Sequence, residues 1–240
     1  MKVAIHQPHY FPWMGYFDKM AKVDKFIIMD DVQLVSNSSM IRNKFLDSNG
    51  NEIFLSLSVE KNGYLDKKNR EIKLSKWEFV RKKHKKTLYF SYKKAPYFDE
   101  IWNKIENIFE KNYENLIDLK MEIIEKIKEV LDIKTEIIFQ SSLDYDKALK
   151  ASDLVLDLCL KANATMYLSG QGGKKYMKLK DYEVKNIKVE FQQFFSPEYK
   201  QVYGDKFIPN LSVLDFLFNN GIEKSRRIFW ENIENNRRIE

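Results

Sequence analysis

The pattern of apolar and polar positions at the start of the chain predicts a strand, a helix and a second strand. Apolar residues dominate 2–6 and 25–29, which is typical of short strands buried on both faces. Between them, residues 13–22 repeat apolar side chains at steps of three and four, which predicts a helix. A strand, a helix and a strand within about thirty residues form a βαβ unit, so we expect parallel pairing with a right-handed crossover.

The next segment, residues 36–75, has the pattern of a hairpin. Asn49-Gly50 stands between apolar stretches at 41–46 and 53–59, and this dipeptide favours a tight turn between antiparallel strands. Residues 54–59 also alternate between apolar and polar side chains, as a half-buried strand does. We therefore expect a small antiparallel excursion from the main sheet.

Residues 77–131 have helical periodicity. Apolar side chains recur at steps of three and four in its second half, at Leu116, Leu119, Ile123, Ile127 and Val130. Pro96 interrupts the pattern, because proline disfavours the helical conformation in the residue before it. The stretch is predicted to be a helical insertion.

A second α/β unit follows the helical stretch. Strands are predicted at 135–139, 164–168 and 189–191. An amphipathic helix is predicted over 146–161, and the C-terminal quarter has a mixed pattern of loop and helix. The fold class is therefore α/β: one domain over 1–240 with an open, mainly parallel sheet, an antiparallel excursion and a helical insertion over roughly 77–131.

Composition adds that the chain is expected to fold without help from a membrane or from disulfides. With 44% apolar and 32% charged residues it has the balance of a globular protein. No apolar run approaches the roughly 20 residues of a membrane span, and the start lacks the layout of a signal peptide. The single cysteine, Cys159, lies in the apolar pattern of a helix, where we expect a buried hydrophobe. The expected location is the cytoplasm.

The net charge of +6 raises the question of nucleic-acid binding. Most of the lysines alternate with acids along helical segments, which is typical of solvated helix faces. Residues 81–86 are the exception, with six potential cations in a row. They are either a solvated helix or a helix that binds phosphate on one side. No recognised nucleic-acid-binding motif accompanies the charge, so nucleic acid is not the expected partner.

Two of the three histidines, His6 and His9, occupy the turn that follows the first strand. Ligands of open parallel sheets bind at the carboxyl ends of the strands, and the N-terminus of the next helix attracts phosphate. Imidazoles there would donate hydrogen bonds to phosphates and stabilise charge on a leaving group. The alternative is a packing corner in which the histidines cap the turn. Two histidines without a cysteine or a matched carboxylate pair make a weak zinc site.

Two other strand ends carry candidate chemistry. Asp30 and Asp31 follow the second strand and would hold Mg²⁺ or a substrate hydroxyl, or else they only solubilise the strand end. Residues 169–174 follow the strand predicted at 164–168, and their glycines allow close approach of a ligand while Lys174 would reach a phosphate. The spacing is not that of a Walker A loop. No G-x-S-x-G elbow occurs, so triad hydrolysis is not expected.

Several runs of the sequence resemble the WbqC-like family. They are HQPHYFPWMGYFDKMAKVDKFIIMDDVQ at the start, IRNKF at 41–45, YKKAPYF at 92–98, YLSGQGGKKYM at 167–177 and SPEYKQVYGDKFIPNLSVLDFLFNNG at 196–221. The family is associated with bacterial surface-polysaccharide and O-antigen gene clusters. The resemblance therefore implies a pathway more firmly than it implies a reaction.

The order of parts is also similar to nucleotidyltransferase-like, Rossmann-type α/β enzymes such as pantothenate synthetase, which adenylates a carboxylate and passes it to an amine. That similarity implies ATP with Mg²⁺ as cofactor. By position, His6 and His9 would bind the phosphates near Gly15, and a loop that contains Ser169 and Lys174 would close over them. This chain departs from the usual His-x-Gly-His form, since Gln7-Pro8 replaces the middle pair and proline stiffens the turn.

The family resemblance draws further residues into the predicted site. Arg42, Asn43 and Lys44 would grip the diphosphate of a nucleotide sugar, since arginine offers a bidentate fork. His84 would join them or act as a general base for an amine. Aromatic residues of the opening segment would stack on a base or a sugar, although aromatics at helical spacing are more often core residues.

The leading hypothesis is an enzyme of surface-polysaccharide biosynthesis that transfers an acyl or aminoacyl group to a nucleotide-linked amino sugar, with ATP to activate the carboxylate. An acyl carrier or a charged tRNA as the donor stays open. The alternative is a non-catalytic binding or scaffold protein of a polysaccharide assembly complex. The predicted catalytic residues are His6, His9, His84, Asp30 and Asp31. The predicted binding residues are Gln7, Tyr10, Trp13, Gly15, Tyr16, Gln33, Arg42, Asn43, Lys44, Ser169, Gly170, Gln171 and Lys174.

Overall fold

A five-stranded parallel sheet forms the centre of the computed structural model, which describes residues 1–35, 38–64, 66–204 and 206–237. The strands of this sheet are β1 Lys2–His6, β2 Lys25–Ile28, β5 Glu136–Phe139, β6 Met166–Ser169 and β7 Lys188–Phe191. A separate antiparallel pair consists of β3 Arg42–Leu46 and β4 Glu52–Ser56. The α/β class, the parallel sheet and the antiparallel excursion are therefore confirmed.

The α-helices of the described residues are α1 Met14–Ala21, α2 Trp77–Tyr92, α3 Phe98–Ile105, α4 Leu116–Val130, α5 Ala151–Lys161, α6 Leu179–Val184 and α7 Val213–Arg237. Helices α2–α4 lie between β4 and β5 in the chain. Gly221, at φ 71°, interrupts the helical conformation within α7. Among the described residues, no helix combines the length and the apolar character that crossing a membrane requires.

The order of the strands places a crevice beside β1. The spatial order is β5-β2-β1-β6-β7, so the chain first steps outwards from β1 through β2 to β5. It then returns to the other side of β1 to add β6 and β7. Ligands of such doubly wound sheets bind at the carboxyl ends of the strands where the order reverses. In this fold that point lies between β1 and β6.

Helices cover both faces of the sheet, and its central strand, β1, is therefore buried on both faces. Ala4 of β1 belongs to a core that it shares with α1–α4, α7 and the hairpin. Val3 and Ile5 belong to a second core with α5, Tyr167 and Tyr182. Successive side chains of a strand point to opposite faces, so the continuous apolar run of β1 is what two covered faces require.

Local signals placed most of the strand boundaries to within one or two residues. β1 has the predicted bounds, and β1 and β2 pair in parallel with Val3 opposite Lys25. The predicted turn lies between β3 and β4, where Gly50 adopts φ 80°. This positive φ is accessible to glycine at little cost, which is why the dipeptide predicts the turn.

The helix predicted over 146–161 is shorter than expected. It begins at Ala151, because residues 146–150 form a turn. The Asp146 carboxylate accepts a hydrogen bond from the backbone N–H of Ala148, at 2.9 Å. An aspartate that bonds its own backbone two residues on favours a turn over a helix, so the apolar spacing alone overestimated the helix.

Candidate functional site

The two loops that follow β1 and β6 meet at one cleft. Because β1 and β6 are parallel neighbours, their carboxyl ends lie side by side, and the residues after His6 and after Ser169 face each other. The cleft has a volume of about 390 Å³. Its lining consists of Ile5, His6, Gln7, His9, Lys19, Met29, Met40, Tyr167, Ser169, Gly170, Gly172, Gly173 and Tyr176. The cleft is therefore at the point where the strand order reverses.

Two aromatic rings, those of His6 and His9, form one wall of the cleft and pack against a third, that of Tyr16, which is outside the lining. The His6 and His9 ring centroids are 4.7 Å apart, and the Tyr16 ring lies 5.0 Å from the first and 5.3 Å from the second. His6 Nδ1 donates a hydrogen bond to the backbone oxygen of Gln7, at 2.9 Å. In the neutral ring this bond leaves the lone pair on Nε2, so His6 accepts a proton at Nε2 before it can donate from there.

Some buried polar atoms in or next to this wall have no hydrogen-bond partner among the described residues. They are His9 Nδ1, Gln7 Oε1 and the Tyr16 hydroxyl. Buried polar groups are normally paired, because each unmade hydrogen bond costs about 1–3 kcal/mol. Gln7 and His9 line the cleft, whereas Tyr16 does not, and all three atoms are themselves buried.

Both histidines of the cleft are neutral at physiological pH. Burial, with further contributions from the Lys120 and Lys19 charges, lowers the pKa of His9 to about 3. Burial also lowers the pKa of His6 well below its usual value, and the charges of His9 and Lys19 act in the same direction. An anion bound between them would oppose these effects and raise both pKa values.

Two buried lysines lie close to the histidines, and the sequence analysis missed both. Lys19 lines the cleft and donates to the backbone oxygen of Ile5 at 3.0 Å, while Lys120 donates to Asn69 Oδ1 at 2.8 Å. Burial lowers the pKa of each lysine to about 7. The signal that could have found them is their position: each lysine stands on the apolar side of its helix, between residues that are themselves buried.

The loop after β6 contributes only part of its predicted set to the cleft. Ser169 and Gly170 line it, and a side chain at Gly170 or Gly172 would meet open space. Gln171 turns away and donates through Nε2 to the Gln192 backbone oxygen at 2.6 Å. Lys174 is outside the lining, with its ammonium 5.2 Å from the centroid of the Phe191 ring.

The carboxylates after β2 are engaged elsewhere. Asp30 accepts hydrogen bonds from the backbone N–H and the hydroxyl of Ser141, at 2.9 and 2.5 Å. Asp31 accepts from Tyr145, from Lys68 at 2.9 Å and from Arg70 at 2.7 Å. Neither aspartate lines the cleft, and Gln33, which lies nearby in sequence, is exposed.

The hydrogen bonds to Asp31 outweigh the cost of its burial. Burial acts to raise the Asp31 pKa, but the bonds from Tyr145, Lys68 and Arg70 together hold it below its usual value. Asp31 is thus an ionised acceptor in a network that ties β2 to the segment around Lys68 and Arg70.

His84 and Tyr10 form a separate buried pair. The Tyr10 hydroxyl and His84 Nδ1 are 2.8 Å apart, and both residues lie in the interior. Burial lowers the pKa of His84 to about 4. Neither residue lines the cleft. His84 is on the buried side of α2, which faces the core.

Four of the remaining predicted binding residues line a second cavity, of about 540 Å³. It is lined by Trp13, Ser38, Ser39, Arg42, Asn43, Lys44, Phe54 and Asn210. The Arg42 guanidinium lies over the half-exposed Phe54 ring, 4.7 Å from its centroid, and Lys44 pairs with Glu52 at 2.7 Å. Ser39 lines this cavity, and the next residue, Met40, lines the first cleft. The cavity and the cleft therefore adjoin along this segment of the chain.

Asn43 and Gly15 have structural roles that the sequence did not reveal. Asn43 Nδ2 donates to the backbone oxygens of Phe11 and Tyr10, at 2.6 and 3.3 Å, and thereby holds Phe11 at φ 41°. Gly15 is buried beneath the Trp13 indole, which would overlap any side chain at that position.

The donor set fits a phosphate better than a metal ion. Within the described ranges no three histidine, cysteine or acidic side chains are grouped so as to hold a metal, and none of the residues lining the cleft is acidic. Mg²⁺ prefers carboxylate ligands, so these residues do not fit a protein-held magnesium ion. The His9 imidazole and the ammonium form of Lys19 fit phosphate oxygens, and the Ser169 hydroxyl, which donates to the backbone oxygen of Gly170 at 3.1 Å, can rotate to do so.

Together these features define an α/β protein with a cleft at the reversal point of a parallel sheet. The chain belongs to the WbqC-like protein family, whose model matches residues 7–227. It is similar to the uncharacterized protein Rv1507c of Mycobacterium tuberculosis, with 34% identity over 224 residues that cover 92% of this chain and 95% of that protein. The family suggests a role related to polysaccharide biosynthesis. No solved structure matches the chain significantly.

Proposed function

We propose that this protein is an enzyme of bacterial surface-polysaccharide biosynthesis that transfers an acyl or aminoacyl group to a nucleotide-linked amino sugar, with ATP to activate the carboxylate. The observation that carries the proposal is the convergence of His6, His9, Lys19 and Ser169 at the reversal point of the sheet. A mere packing corner would be expected to pair its buried polar atoms. Here His9 Nδ1 has no partner among the described residues.

The charge of the cleft supports an anionic ligand. Its titratable lining residues are two histidines, one lysine and two tyrosines, and no described lining residue carries a negative charge at neutral pH. The open space beside Gly170 and Gly172 leaves room for a ligand against the loop backbone. A phosphate group combines negative charge with several acceptor oxygens, and therefore matches this lining.

Each residue of the cleft would have its own role in the reaction. ATP, when bound, supplies the phosphoanhydride bond whose cleavage activates a carboxylate. His9, which lines the cleft, and Ser169, whose hydroxyl would rotate away from the Gly170 backbone oxygen, would hold phosphate oxygens. His6 would take the proton of the attacking amine at Nε2, since Nδ1 is committed to Gln7. This role replaces those predicted for His84, Asp30 and Asp31, whose side chains are engaged elsewhere.

The second cavity would bind the nucleotide portion of the sugar substrate. Arg42 offers a guanidinium for a diphosphate, and Trp13 and Phe54 offer aromatic surfaces for a base. Because Ser39 and Met40 are consecutive, a substrate that spans the segment would reach from this cavity to the cleft.

The experiment that tests the proposal is a thermal-shift panel with ATP and Mg²⁺, coenzyme A, and dTDP-, UDP- and GDP-linked sugars with and without amino groups. Each ligand is measured on the wild type, on His9→Ala and on Arg42→Ala. We expect ATP to raise the melting temperature of wild type and Arg42→Ala but not of His9→Ala. We expect an amino-sugar nucleotide to act on wild type but not on Arg42→Ala.

A positive ATP result leads to a pyrophosphate-exchange assay with candidate carboxylic acids. A rise in melting temperature with an amino-sugar nucleotide alone would support the transferase proposal and reject ATP as the activator. If no ligand of the panel raises the melting temperature, and His9→Ala melts at a lower temperature than wild type, the enzyme proposal is refuted and the scaffold protein is favoured.

A further inference from the structure

Lys19 is a buried lysine that opens onto the cleft without a counter-ion. It lies in the last turn of α1, is 3% exposed, and places Nζ 3.0 Å from the backbone oxygen of Ile5, next to His6. None of the ion pairs among the described residues includes it. Lys22, which caps the C-terminus of α1, differs in this respect, because it pairs with Asp18 at 3.2 Å.

A buried ammonium group without a counter-ion is costly, amounting to several kcal/mol after relaxation of the protein. The protein can avoid that cost by releasing the proton, or a ligand can supply the missing negative charge. The backbone oxygen of Ile5 compensates only part of the positive charge of Lys19. Since Lys19 lines the cleft, the ligand is the group that can complete the pair.

We propose that Lys19 is the charge partner of a dianionic group, of phosphate or sulfate chemistry, bound in the cleft, and that binding converts Lys19 from the amine to the ammonium form. The proton comes from solvent and is added to Nζ, and no covalent bond of the ligand changes. This inference rests on the proposed function only in taking the cleft as the ligand site.

The electrostatic surroundings agree with this role. The titratable groups that act on Lys19 or share its cavity are His6 and His9 from the turn, Cys159 from α5, and Tyr167 and Tyr176 from the β6 side. Both imidazoles are neutral in the free protein. Burial lowers the pKa of Lys19 to about 7, so the free protein can hold Lys19 as the amine close to neutral pH.

Lys120 provides a matched comparison within the same protein. It is equally buried, and burial lowers its pKa to about 7 as well. It donates to Asn69 and does not line the cleft. If burial alone determined the behaviour of these lysines, both would respond equally to an anion.

The test is a titration of the lysine side chains by nuclear magnetic resonance, with ¹³C-labelled lysine, in sodium sulfate and in sodium chloride of equal ionic strength. Lys19→Met and Lys120→Met assign the two signals. We expect the pKa of Lys19 to rise in sulfate by about one unit or more, which corresponds to roughly tenfold tighter sulfate binding by the ammonium form. We expect a smaller change for Lys120. A Lys19 pKa that is the same in both salts would overturn the inference.

The variants supply a second readout. Lys19→Met should lose the thermal stabilisation by sulfate and by ATP, whereas Lys120→Met should keep it. Because the titration uses the wild-type protein, the inference stays testable even if Lys19→Met folds poorly. A rise of the Lys19 pKa in sulfate without pyrophosphate exchange would keep the anion site and reject the adenylation chemistry. Exchange activity with an unchanged Lys19 pKa would reject the role of Lys19 alone.

Discussion

The imidazole of His6 stands edge-on to the imidazole of His9, with an interplanar angle of 84° and ring centroids 4.7 Å apart. Tyr16 of α1 packs against both rings. His6 is tied to the backbone of Gln7, but His9 Nδ1 is unpartnered among the residues described. The two histidines are therefore unequal, and changes at His9 should affect a ligand more than the fold.

His9→Ala and His84→Ala should separate binding from stability. His9→Ala removes no side-chain hydrogen bond among the described residues but does remove ring packing against His6 and Tyr16, so we expect a smaller loss of stability than His84→Ala causes, and no response to ATP. His84→Ala removes the partner of the buried Tyr10 hydroxyl, and we expect the free energy of unfolding to fall by about 1–3 kcal/mol or more. Urea unfolding and thermal shift with ATP measure both effects. Equal destabilisation by the two variants would contradict this division.

The buried lysines predict an unusual dependence of stability on pH. In the folded protein, burial lowers the pKa of Lys19 and Lys120 from 10.5 to about 7. The unfolded chain therefore binds more protons between these values, and the free energy of unfolding rises with pH across this window. Below pH 7 both states carry the charge, and the full cost of burial remains.

We expect the free energy of unfolding at pH 9 to exceed that at pH 7 by an amount on the order of 2–5 kcal/mol. Urea unfolding at several pH values measures it. The double variant Lys19→Met, Lys120→Met should flatten the dependence, because the apolar side chains do not titrate. A wild-type curve that is flat or falls over this range would show that the lysines stay charged when buried.

Asn43 and Arg42 are neighbours that should behave in opposite ways. In Asn43→Asp, a carboxylate would face the backbone oxygens of Phe11 and Tyr10 and could not donate to them. We expect the free energy of unfolding to fall by about 1–3 kcal/mol. Arg42→Ala should change it by less than about 0.5 kcal/mol, because the guanidinium lies over a half-exposed ring. Urea unfolding compares them, and a stable Asn43→Asp would point to a binding role instead.

Gly15 and Gly172 should differ in how they respond to an added methyl group. A methyl group at Gly15 would overlap the Trp13 indole, so Gly15→Ala should change the tryptophan fluorescence and lower stability by about 1–3 kcal/mol. At Gly172 the methyl group meets open space, so Gly172→Ala should fold as wild type does and weaken the thermal response to ATP. An unchanged fluorescence spectrum of Gly15→Ala would refute the packing role of Gly15.

The sequence by itself determined the local elements of this protein. The apolar run of β1, the Asn49-Gly50 turn and the periodicity of α4 are properties of adjacent residues, so they can be identified without knowledge of the fold. The helix before β6 was overestimated because Asp146 forms a turn with its own backbone, and apolar spacing does not register such bonds. The two loops at the reversal point could be predicted as well, since each follows a buried strand.

Only the tertiary structure decided which side chains share the cleft. His6 and Ser169 meet because β6 pairs with β1, whereas Asp31 is drawn into bonds with Lys68, Arg70 and Tyr145. Lys19 becomes a cleft residue because packing removes it from water, and burial lies outside any local pattern. The physical reason is common to all three cases. A residue type states what chemistry is available, but the partners and the solvent exposure that direct this chemistry come from segments distant in the chain.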